Sequence, residues 1–90
     1  MKAKKFGVDI ELVEDFTQAQ FEKYQNVLIE STNEAKAAAV IERALVQAAI
    51  EAGILKGISK KLEEYTPRVI KWLTVTVRDF INEQTEVPLD

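Results

Sequence analysis

Residues Glu34–Ala52 read EAKAAAVIERALVQAAIEA. The segment predicts one long helix. At about 100° per residue, Lys36, Arg43, Gln47 and Glu51 fall on one narrow stripe. The remaining arc, from Ala35 through Val40, Ala44 and Ala48 to Ile50, is apolar and is broken mainly by Glu42. A helix with so wide an apolar arc needs neighbours on several sides. Its alanines let another helix approach closely, but they bury little area per residue. Such a face suits tight antiparallel packing or a subunit interface.

Working outward toward the N-terminus, Ser31-Thr32-Asn33-Glu34 has the form of a capping box, with Ser31 as N-cap and Glu34 at N3. It places the central helix at 32–52, with Gly53 as the following residue at positive φ. Upstream, Thr17 as N-cap puts Gln20 at N3, a second capping box. The same register places Phe16 and Phe21 as a hydrophobic staple. Two signals in one register predict a helix over 17–30. Phe21, Tyr24 and Leu28 lie on one face of it, with Val27 beside them, as core. Residues 1–13 precede it. Phe6, Val8, Ile10 and Leu12 alternate with Gly7, Asp9 and Glu11, which predicts a half-buried strand or an extended arm. A strand needs a partner for its backbone groups. That partner is a second strand of this chain, the same strand of another copy, or another protein's edge.

Toward the C-terminus, Gly53 and Gly57 bracket a turn, and Ser59 caps a short helix over 59–65. Thr66-Pro67 is an N-cap followed by proline at N1, which starts a helix over 67–84. Val69, Leu73, Val77 and Phe80 share its apolar face. Leu73–Val77 also alternates and is rich in β-branched residues. Helix is the preferred reading, because the apolar spacing persists for four turns. Trp72 lies off the main stripe, as a second-face core residue or an interface anchor. Residues 85–90 form a tail. The expected fold is mostly α: one domain over 1–90, a small bundle of three to four helices with a short N-terminal strand or arm.

Composition narrows the function. The 90 residues are 47% hydrophobic and 30% charged, with a net charge of −3. That balance suits a single globular domain and argues against a dedicated nucleic-acid binder. There is no Cys and no His, so thiolate and imidazole chemistry are excluded. No glycine-rich phosphate loop or catalytic constellation is present. Asp9, Glu11, Glu14 and Asp15 lack the spacing of a calcium loop. The expectation is a protein without enzymatic activity, cofactor, metal or small-molecule substrate. The longest uncharged run, Ala44–Ile50, is far short of the roughly 20 residues of a membrane span. The basic start lacks an apolar run behind it, so it is not a signal peptide. Cytoplasmic location is expected.

What remains is interaction. Phe6, Val8, Ile10, Val40, Ala44, Trp72, Val75 and Phe80 are the candidate contacts with a protein partner or a second copy in a homo-oligomer. Lys2, Lys4 and Lys5 precede Asp9, Glu11, Glu14 and Asp15, and segregated signs of this kind can steer partners into register. An alternative is a small dimeric nucleic-acid regulator with phosphate contacts from Lys56, Lys60, Lys61, Arg68 and Lys71, although no aromatic is interleaved among them as a base platform. The opening KFGVDIELVEDFTQAQFEKYQ (Lys5–Gln25) is a strand leading into a capped helix. The closing TPRVIKWLTVTVRDFINEQTEVPLD (Thr66–Asp90) is a Trp-bearing helix running into a proline-containing tail. Together they resemble the small tail assembly chaperones of tailed bacteriophages. That resemblance implies a cytoplasmic, mostly helical, oligomerising protein. It would hold tape-measure or tail-tube subunits during assembly and be absent from the finished particle.

Overall fold

The computed structural model describes residues 1–34 and 37–87. In chain order they form β1 (Lys2–Lys5), β2 (Val8–Leu12), α1 (Gln18–Thr32), α2 (Ala38–Glu51), β3 (Leu55–Lys56), one 3-10 turn (Leu62–Glu64) and α3 (Pro67–Thr85). The fold is mostly α, as expected, with a three-stranded antiparallel sheet in the order β1-β2-β3.

α2 sits in the middle. It packs against α1, α3 and β3, and Ala44, Val46, Ala48 and Ala49 are all buried along it. Alanine explains how one helix meets neighbours on several sides, because short side chains let two helix backbones come close at once. The second half of the apolar arc is therefore covered within one chain, whereas Ala38, Ala39 and Ile41 at the start of α2 stay exposed. This corrects part of the interface reading: Ala44 is only 5% exposed, Ile10 4% and Phe80 5%, and all three fill the interior. Phe80 packs against Phe16, with ring centroids 6.3 Å apart. The largest fully buried side chains are Leu12, Ile54, Leu55, Leu73, Val46 and Val77. Each large aliphatic so buried contributes about 1.5–3 kcal/mol.

The N-terminal segment is a hairpin rather than an arm. The strand is Val8–Leu12 alone. Phe6 and Gly7 are the two central residues of the turn, with φ of 54° and 77°, and β1 folds back so that Lys5 faces Val8 and Ala3 faces Ile10. Two positive φ values in a two-residue loop are the type I′ geometry, which matches the twist of the flanking strands. The strand's partners are therefore segments of its own chain, β1 on one side and β3 on the other. The charge pattern has the same local explanation. Lys2 stands opposite Glu11, Lys4 opposite Asp9, and Glu11 opposite Lys56. These opposite-sign pairs favour the observed register. Gly57 follows β3 so closely over β2 that a Cβ there would lie 2.8 Å from the Asp9 carbonyl oxygen.

The helix starts follow side-chain chemistry at two of three sites. The Thr17 hydroxyl accepts from the Gln20 N–H at 3.2 Å, and the Thr17 N–H donates to Gln20 Oε1 at 2.9 Å. Phe16 and Phe21 stack beside this cap, their centroids 6.2 Å apart. The Thr66 hydroxyl accepts from the Val69 N–H at the start of α3. α2 is the exception. Ser31 does not cap it: α1 continues through Ser31 to Thr32, whose hydroxyl donates to the Leu28 carbonyl at 2.7 Å. The N-cap of α2 is Ala37, with no side-chain cap, so the central helix expected over 32–52 is Ala38–Glu51. Ala35 and Lys36, which that expectation included, lie outside the described residues, as do Pro88–Asp90 of the tail. Gly53, at φ 76°, follows α2.

The short helix expected over 59–65 is a single 3-10 turn, because Pro67 holds its predecessor extended and leaves too few residues for an α-helix. The β-branched run Thr74–Val77 is helical. Leu73 and Val77, four residues apart, are fully buried on one face. The Thr74 hydroxyl donates to Ile70 O at 2.8 Å and to Glu42 O of α2 at 3.3 Å. Burial and a satisfied hydroxyl outweigh a strand propensity that spans only about 1 kcal/mol.

Candidate protein-interaction surface

The hairpin tip rests on α3. The Phe6 ring meets Trp72 edge-on, at 90° and 6.4 Å between centroids. The Lys5 ammonium lies 5.4 Å and the Arg68 guanidinium 5.7 Å from the centre of the same ring, within the range of a cation–π attraction. Phe6 nevertheless stays 46% exposed.

Its backbone is the more informative feature. The first central residue of a type I′ turn is normally Asn, Asp or Gly. A bulky aromatic at φ 54° is an outlier, held by its surroundings at a cost of about 1–3 kcal/mol.

The eight interface candidates separate into four groups. Ile10, Ala44 and Phe80 are interior. Phe6 and Trp72 come together where the hairpin meets α3, and Val8, like Trp72, is partly buried against the core. Val75 lies one turn beyond Trp72 and is 40% exposed. Val40 is half-buried on α2, apart from the sheet.

The five candidate phosphate contacts occupy different surroundings. Lys56 is on the outer sheet face opposite Glu11. Lys60 and Lys61 are exposed before the 3-10 turn. Arg68 covers Phe6. Lys71 lines a groove of about 340 Å³ between α2, the 3-10 turn and α3, where Arg43 pairs with Glu63 at 3.1 Å. The expectation that no aromatic stands among these cations is corrected at two points: Phe6 lies beneath the Arg68 guanidinium, and Tyr65, between Lys61 and Arg68 in the sequence, lines the same groove as Lys71.

Among the described residues, Tyr24 is the one group whose titration is displaced. Burial in α1 pushes its hydroxyl above the ordinary 10.0 by disfavouring the charged form, and it is a core feature rather than part of this surface. Among the described residues, no three acidic, His or Cys side chains converge as a metal site, and no helix is long and apolar enough to cross a membrane.

The two aromatics were individually visible in the sequence, but their meeting was not. The period-two pattern ran through Phe6 and concealed the turn. The available signal was Gly7, two residues before Asp9, between a lysine-rich run and an alternating one. No protein family, curated protein or solved structure matches this chain. Fold and surface together define a small, mostly helical protein with an aromatic and cationic patch at its hairpin tip.

Proposed function

We propose that this is a non-enzymatic interaction protein of the tail-assembly-chaperone kind, which self-associates and holds another structural protein, the partner contact centred on Phe6 and Arg68 and the self-contact on the neighbouring face of α3 that carries Trp72 and Val75. The observation that carries the reading is Phe6. A turn that Asn or Gly would fill without strain instead holds a half-exposed aromatic ring. Strain of this kind collects at functional positions. Aromatic residues and arginine are the side chains that most often anchor protein interfaces. The resemblance of the opening and closing segments to phage tail assembly chaperones supplies the class of partner.

The test separates the ring from the fold. Phe6→Asn suits the turn, so stability should stay within about 1 kcal/mol of wild type. Binding to a purified tail-tube or tape-measure protein, measured by calorimetry, should weaken at least about tenfold. Undiminished binding by Phe6→Asn removes the surface. Failure of the wild-type protein to bind any such subunit removes the tail-assembly reading.

A second reading, single-stranded nucleic acid at the same patch, is favoured by Lys5 and Arg68 beside the aromatic pair. It is disfavoured because both cations already cover the ring and the net charge is −3. It requires binding that falls steeply with salt, and no mobility shift of an oligonucleotide at low salt would exclude it.

A further inference from the structure

α3 is charged against its own dipole. Pro67–Val75 carries Arg68 and Lys71 and no acid, whereas Thr76–Glu86 carries Asp79, Glu83 and Glu86 against the single cation Arg78. The first turn has no acidic residue and the last turn no basic one. A helix prefers the reverse, with acids at its N-terminus and bases at its C-terminus. The chain does not compensate internally. Among the described residues, the ion pairs are those of the Met1 amine with Glu14, Arg43 with Glu63, and Arg78 with its neighbour Asp79. Arg68, Lys71, Glu83 and Glu86 take part in none of them, and all four are exposed. Val75, itself exposed, stands between the two halves.

We infer that the occupant of this face is the same helix of a second copy, docked antiparallel about a twofold axis at Val75. The inference deepens the self-association in the proposed function and rests on it. Lys71 and Asp79 lie four residues on either side of Val75, and Trp72 and Arg78 three. Antiparallel docking therefore sets Lys71 of each copy against Asp79 of the other. It also sets Trp72 against Arg78 as a cation–π pair, and Val75 against Val75. The basic half of each helix meets the acidic half of its mate, and the two helix dipoles oppose. Parallel docking would set like against like. The sheet edge β1 carries Lys2, Lys4 and Lys5, which disfavours edge-to-edge pairing of two copies there. A pair closed by one twofold axis is complete and does not polymerise. With one valine at its centre and charges around it, the contact is weak and salt-sensitive.

The test uses the full chain in sedimentation velocity, from about 10 µM to about 1 mM. Runs are made at about 50 mM and about 500 mM salt. Two charge-reversed proteins are compared with wild type: Arg68→Glu with Lys71→Glu, and Asp79→Lys with Glu83→Lys. All four positions are exposed, and helical circular dichroism checks that each protein folds. Wild type should dimerise at low salt and shift toward monomer at high salt. Each reversed protein alone should remain at the 10.2 kDa of one chain. An equimolar mixture of the two should recover the dimer. If wild type dimerises and both reversed proteins dimerise equally well, the α3 contact is overturned while self-association stands. If wild type stays monomeric throughout, the contact and self-association both fall, and partner binding through Phe6 is judged separately by Phe6→Asn.

Discussion

α2 carries alanine at Ala44, Ala48 and Ala49 and is enclosed by α1, α3 and β3. α3 buries Leu73, Val77, Phe80 and Ile81 on one face and leaves Arg68, Lys71, Val75 and Asp79 facing water on the other. By sequence, α2 is the more apolar helix and the more obvious interface. In the fold its second half is occupied on several sides through Ala44, Val46, Ala48 and Ala49, and only its first turns, with Ile41 42% exposed, stay open. Small side chains widen an apolar arc on paper, and in three dimensions they shrink the space that neighbours must fill. Large side chains left half-exposed beside unpaired charges, as on α3 and at Phe6, are the better marker of a free surface.

The sharpest way to break this contrast is inside the shared core. Leu73→Ala removes a fully buried side chain where α3 meets α2 and should cost about 2–5 kcal/mol in urea unfolding. A loss below about 1 kcal/mol would mean the buried face of α3 is not packed as described. Ala48→Leu tests the enclosure of α2. Ala48 is fully buried, so the larger side chain should destabilise by about 1–3 kcal/mol. A free alanine face would accept leucine without penalty.

The hairpin tip sharpens the other side. A double-mutant cycle of Phe6→Leu and Trp72→Leu should give a coupling of about 0.5–1.5 kcal/mol, the worth of one edge-on aromatic pair. No coupling would mean the tip does not rest on α3 in solution. The effect of pH is smaller. Because burial raises the Tyr24 pKa above 10.0, the folded state disfavours the ionised form. Its contribution is complete below the unfolded value and is lost as pH rises from there through the folded value. Wild type should therefore lose more stability than Tyr24→Phe between about pH 9 and about pH 11, as followed by thermal unfolding. Equal losses would place the hydroxyl in water. Val75→Ser, on the open face of α3, should change monomer stability by less than about 0.5 kcal/mol. A cost of a buried valine's size would move Val75 to the interior.

Several local features were legible in the residues. The Thr17–Gln20 capping box with its Phe16–Phe21 staple, the Thr66-Pro67 start and the need of α2 for neighbours on several sides depend on contacts a few residues apart or on one helix's periodicity. The errors have equally specific causes. Ser31 and Glu34 match a capping box, but a motif cannot say whether the preceding helix has already ended, and α1 runs through Ser31. Phe6 fits the period of a strand, but period two cannot distinguish the strand's first residue from the turn before it.

The candidate surface was legible only as separate residues. Trp72 was recognisable as lying off the core stripe, and Arg68 as a cation near a helix start. That Phe6 reaches both of them depends on the hairpin folding back over β2 and on β2 lying against α3. That Ile10, Ala44 and Phe80 are interior depends on which faces those packings cover.

Local order in this protein follows from its sequence, because capping, turn chemistry and amphipathic spacing act within a few residues along the chain. Which apolar surfaces are closed and which remain open was settled by tertiary packing. Enclosure belongs to pairs of elements: the second half of α2 is closed because α1, α3 and β3 reach it, and the outer face of α3 stays open around Val75 because the hairpin tip covers only Arg68 and Trp72 nearer its start.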